Sequence, residues 1–195
     1  MRKTLDRLLA AGGMVVAIVL LVAGGLLTWA HNYVHTEVHN QLAAQKVFFP
    51  PKGSDALKPA EIGPYLNKYA GQQLLTGDQA KAYADHFIAV HVKEIGGGQT
   101  YAQLSAKALA APTDTKLKAQ VDTVFRGETL RGLLLDAYAF DTMGNLALIA
   151  AIVAYVAAGL MAVLAALGFL HARRVHTTAP PTAGKGAPSI ETINV

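Results

Sequence analysis

Between Val124 and Leu170 the chain passes from a charged amphipathic segment into 29 residues, Thr142 to Leu170, that carry no charge. No proline interrupts the stretch, so it is expected to form one helix that leaves water for lipid. A second charge-free run of 23 residues, Leu8 to Ala30, lies near the other end. At about 1.5 Å per helical residue the two runs reach roughly 35 and 44 Å, against a hydrocarbon core of about 30 Å. Both are long enough to span, and the longer must tilt or protrude.

The net charge of +4 sits entirely outside the stretch between these runs. Arg2, Lys3 and Arg7 against Asp6 leave the first seven residues at +2, and Arg173, Arg174 and Lys185 against Glu191 leave residues 171–195 at +2. Residues 31–141 hold 11 basic and 11 acidic side chains. That neutrality argues against a nucleic-acid partner, whose phosphates demand a basic face. The charged ends instead predict both termini on the cytoplasmic side. The first run exceeds the about 7–15 residues of a signal-peptide core and no Ala-x-Ala follows it, so it reads as an uncleaved anchor. Without cysteine there are no disulfides, no lipid-modified thiol and no thiolate metal site.

The expected organisation is all-α: a cytoplasmic segment at 1–7, transmembrane helices at 8–30 and 142–170, an extracytoplasmic helical bundle at 31–141 and a disordered cytoplasmic tail at 171–195. A two-pass protein of the plasma membrane follows. Trp29 and Tyr33 suit an interfacial aromatic belt. The first helix is expected to continue past Ala30 and stop at Phe48-Phe49-Pro50-Pro51, where the proline pair cannot sustain the hydrogen-bond ladder. A short helix is expected near Glu61–Tyr69. Thr76 with Gln79 opens another, reaching about Ile95, and Thr100 with Gln103 a third, through about Ala110. Thr113 or Asp114 caps the last, beginning near Thr115. No stretch alternates as a strand would.

Three groups of residues carry possible chemistry or contact. His31, His35 and His39 recur at four-residue spacing outside the first run, a pattern that can place imidazoles on one Zn or Cu ion. Equal rise along an antiparallel neighbour brings Asp141 to the level of His31 as a fourth donor, and Tyr138 to that of His35. Packing histidines are the plainer alternative. Ala150, Ala154, Ala158, Ala162 and Ala166 offer small side chains at every fourth position of the second run, where close helix approach drives association in lipid. That stripe serves either pairing with the first run or a seam for a membrane-protein partner or second copy. Glu128 and Arg131 are expected as a partly buried i, i+3 ion pair flanked by Gly127 and Gly132, whose cost inside a helix implies close packing. Asp85 beside His86 makes no triad, because no nucleophile elbow or cysteine accompanies it.

The segments KYAGQQLLTGDQAKAYADHFIAVHVKEIGGGQTYAQLSAKAL, from Lys68, and FRGETLRGLLLDAYAF, from Phe125, with the following apolar run and His171-Ala172-Arg173-Arg174, resemble a group of actinobacterial two-pass membrane proteins. The resemblance implies topology and brings no catalytic residues. Some relatives of this shape are labelled aromatic ring-opening dioxygenases. Such chemistry requires iron held by His and carboxylate ligands in a closed pocket, and only the juxtamembrane histidines offer a substitute. The function expected is a non-catalytic accessory or scaffold subunit without cofactor; the alternative is an extracytoplasmic sensor of a metal or small ligand.

Overall fold

The computed structural model describes residues 2–174, with side chains placed from Thr4 to Arg173. Two long helices, α1 (Arg2–Gln45) and α6 (Thr115–Arg174), enclose four short ones: α2 (Gly63–Leu66), α3 (Gly77–Tyr83), α4 (Ala89–Ile95) and α5 (Tyr101–Ala110). Among the described residues there is no strand, only an isolated bridge between Phe48 and Gln73. The fold is all-α. Both long helices contain windows apolar enough to cross a membrane, and only 17% and 11% of those windows is buried inside the molecule, so their side chains face outward. Of the tail expected at 171–195, residues 171–174 continue α6, which ends at Arg174, and residues 175–195 lie outside the described residues.

The chain divides into two compact units, one of Met1–Val22 with Ala154–Val195 and one of Ala23–Val153. In the first, α1 and α6 run antiparallel and pair through small side chains. Ala10, Ala17, Ala158, Ala165 and Ala172 are each 5% exposed or less. A Cβ on Gly13 would stand 3.5 Å from Ala165, and one on Gly168 would stand 3.2 Å from Ala10. The buried alanines of α6 recur every seventh residue, the period of left-handed helix pairing. Of the stripe expected at every fourth residue, Ala154 and Ala158 are buried, Ala162 is half-buried, and Ala150 and Ala166 are exposed. Four residues advance a helix by about 400°, so a four-residue stripe drifts about 40° per step and leaves the contact face.

The second unit owes its core to both long helices and the segment between them. Val38 and Leu42 of α1, Leu57, Ile62, Leu66 and Leu74 of the connecting segment, Ala80, Ala84, Ile88 and Val92 of the third helical stretch, Leu104 of α5, and Val124 and Leu134 of α6 form one buried cluster. Local signals explain the element ends. Lys46 closes α1 in the left-handed conformation at φ 53°, and the Phe49-Pro50-Pro51 segment follows. Thr76 and Thr100 each accept from the backbone N–H three residues on, while Gln79 and Gln103 bond back to the capping N–H. Asp114 accepts from the Leu117 N–H at 2.9 Å and so caps α6.

Gly127 and Gly132 part company. A Cβ on Gly127 would overlap the side chain of Val92, so α4 approaches α6 closely there, whereas nothing lies within 4 Å of one on Gly132. Opposite effects are expected from the same substitution. Gly132→Ala should stabilise by about 0.5–1 kcal/mol through helix propensity, and Gly127→Ala should destabilise by about 1–3 kcal/mol through overpacking. Thermal unfolding of the two variants reads the difference directly, and shifts of equal sign would contradict the approach of Val92.

Candidate functional site

Where α1 and α6 flank one another in the second unit, His31, His35, Asp141, Gly144 and Asn145 form a polar cluster. His31 donates from Nδ1 to the Gly144 carbonyl at 2.9 Å. His35 Nδ1 lies 2.9 Å from Asp141 Oδ1, and its Nε2 lies 3.0 Å from the Asn145 side-chain oxygen. With Nδ1–H on the carboxylate, Nε2 meets the Asn145 amide, whose two ends can exchange to suit it. The two rings meet edge to face, with centroids 4.4 Å apart. Asp141 is only 8% exposed, and its side chain rests against Gly77 at the start of α3.

This placement corrects the expected register. Asp141 stands opposite His35, not His31, because the helices are offset by about one turn from equal rise. His39 is exposed and stands apart from this cluster. Both ring nitrogens of His35 are engaged, and among the described residues no three His, Cys, Asp or Glu side chains gather closely enough to hold a metal ion.

A second cluster centres on a π turn, Ala84–Ile88, between α3 and α4. Such a turn inserts one residue into a helix and re-aims its side chains. Asp85 lies 2.7 Å from Lys81 Nζ and 3.5 Å from Arg131, which also reaches Glu128 at 3.4 Å. The expected Glu128–Arg131 pair therefore exists, but Glu128 is exposed, and the more enclosed carboxylate is Asp85. The lengths mark Lys81–Asp85 as the strong contact. The Lys81 hydrogen bond holds the Asp85 carboxyl below its ordinary value, with Arg131 adding to it, and Asp85 raises Lys81 in return. Lys81 also lies 5.1 Å from the Tyr138 ring centre.

Because Asp85 is lowered, its contribution to stability is complete above the ordinary carboxylate range and disappears as pH falls through its own value. The raised Lys81 contributes below the ordinary lysine range and loses its contribution as pH rises through its value. Asp85→Asn is thus expected to destabilise the domain by about 1 kcal/mol or less between about pH 5 and 10. The gap between variant and wild-type melting points should close towards about pH 3. A gap that persists there would assign the effect to something other than charge.

Aromatic rings line up beside this turn: Phe49 on Tyr83, Tyr83 on Phe87, and Phe87 on His91. His91 donates from Nδ1 to the Phe87 carbonyl at 2.7 Å, as a satisfied packing histidine would. His86 stacks on Tyr65 with ring centres 3.5 Å apart. An open groove of about 360 Å³ runs past Phe87, His91 and Val92 on one side and Arg126, Gly127 and Leu130 on the other.

Sequence reasoning had no signal for the long-range partners Gly77, Asp85, Gly144 and Asn145. The chain matches no protein-family model, no curated protein and no solved structure at the significance required.

Proposed function

We propose that this chain is a non-catalytic two-pass protein of the plasma membrane, an accessory or scaffold subunit of a membrane or envelope assembly. Both termini are cytoplasmic, and the helical domain between the spans is extracytoplasmic. The charge distribution supports this orientation, with basic residues gathered beyond the two runs and a neutral middle. The resemblance of Lys68–Leu109 and Phe125–Phe140 to two-pass membrane proteins supports it too.

The observation that carries the contact role is the groove between α4 and α6. Its floor is apolar and aromatic, through Phe87, Val92 and Leu130, and Arg126 stands at its side. Aromatic and arginine side chains are the common anchors of protein interfaces. A photo-crosslinking residue at Leu130, introduced into the full chain in native membranes, is expected to give one discrete adduct with another membrane protein. An adduct of twice the chain's mass would assign a second copy as partner. Uncrosslinked monomer throughout would count against the scaffold reading.

The histidine cluster favours a second reading, an extracytoplasmic sensor. The His35 ring links α1 and α6, with Nδ1 on Asp141 and Nε2 on the Asn145 side chain, beside His31, where a metal or small ligand would be read by both helices. Binding of Zn or Cu by the purified protein that is lost when His31→Ala and His35→Ala are combined would separate this reading from packing histidines, and no binding by wild type would count against it.

A further inference from the structure

We propose that Arg7 and Arg173 form a binding site for the phosphate headgroup of an anionic phospholipid. Both line one groove of about 500 Å³ between the terminal parts of α1 and α6, together with Thr4, Leu8, Ala11 and Phe169. All of these residues belong to a single compact unit. Among the described residues neither guanidinium has a carboxylate partner. The nearest acidic residue in sequence, Asp6, lines a different groove with His171. Negative charge is thus kept off the arginine side.

The position of the groove selects the ligand. Arg7 immediately precedes the first charge-free run and Arg173 lies three residues beyond the second. On the membrane reading, from which this inference follows, both stand at headgroup depth. Leu8 is 65% exposed, and with Phe169 it offers an apolar wall along which an acyl chain can lie. A guanidinium presents paired N–H donors that match phosphate oxygens, and two of them beside a threonine hydroxyl suit one phosphodiester. Basic pockets between membrane helices on the cytoplasmic side take anionic lipids by this same chemistry.

The test is native mass spectrometry of the full chain released from mixed micelles containing equal phosphatidylglycerol and phosphatidylcholine. Wild type is expected to retain phosphatidylglycerol about tenfold over phosphatidylcholine, equivalent to about 1.4 kcal/mol. Arg7→Gln combined with Arg173→Gln should abolish the preference. Arg2→Gln combined with Lys3→Gln, which removes the same charge nearby, should keep most of it. Equal retention of the two lipids by wild type, or equal loss in both double variants, would overturn the site. Displacement by the same concentration of soluble glycerol phosphate would overturn the lipid assignment in favour of a free phosphate ligand. Carbonate washing of native membranes is read in parallel: a chain that stays in the pellet but shows no lipid preference defeats only this site, and one released to the supernatant defeats the membrane reading as well.

Discussion

Gly77→Ala is expected to destabilise the helical domain by about 2–3 kcal/mol, although alanine is the better helix former by about 1 kcal/mol in an open position. The added methyl would overlap the Asp141 Cβ and stand 2.8 Å from its Cγ and Oδ2. A Cβ is fixed to its backbone and cannot swing aside, so α3 and α6 must separate. The movement loosens the Thr76–Gln79 capping box and the buried Leu74 beside it, and it shifts Asp141 from His35. A midpoint lowered by several degrees in thermal unfolding is the expected readout. Asp141→Ala keeps the offending Cβ and should not rescue the variant, whereas Asp141→Gly should recover part of the loss, a coupling measurable by double-mutant cycle. Wild-type melting of Gly77→Ala would refute the close approach.

Ala158→Leu is expected to disrupt the pairing of α1 with α6 by about 2 kcal/mol, because Ala158 is 1% exposed and its neighbours leave no room for a larger side chain. Ala166→Leu, on the exposed face of the same helix, should have little effect. The chain has no cysteine, which makes a clean reporter available. Cysteines at Gly13 and Ala165, where the Cβ separation is 3.5 Å, meet the geometry of a disulfide, about 3.5–4.5 Å. Oxidation in membranes should link them efficiently in wild type and with Ala166→Leu, and poorly with Ala158→Leu. Equal linking in all three backgrounds would dissolve the seven-residue seam.

Much of the local structure was legible because its causes are local. Thr76, Thr100 and Asp114 cap helices with side chains that reach only three residues along the chain, and the sequence holds both partners in one short window. The two long apolar helices were equally plain. Long-range contacts were not, since they depend on how far one helix slides along another. An assumed equal rise put Asp141 beside His31, and the observed offset gives it to His35. The pairing of α6 with α1 was hidden for a related reason: α6 contains small residues at several spacings, and only packing against α1 selects the period of seven. Arg131 was expected to pair along its own helix with Glu128, and it also crosses to Asp85 because the π turn carries that carboxylate towards α6.

The π turn also fixes how the residues on either side of it face. Removing one residue from 84–88 would restore an uninterrupted α-helix. Everything after the deletion would then rotate by about 100° relative to everything before it. Tyr83 could keep its ring against Phe49, or Val92 its place over Gly127, but not both. The spacing of the residues on either side of 84–88 therefore depends on how many residues the turn holds.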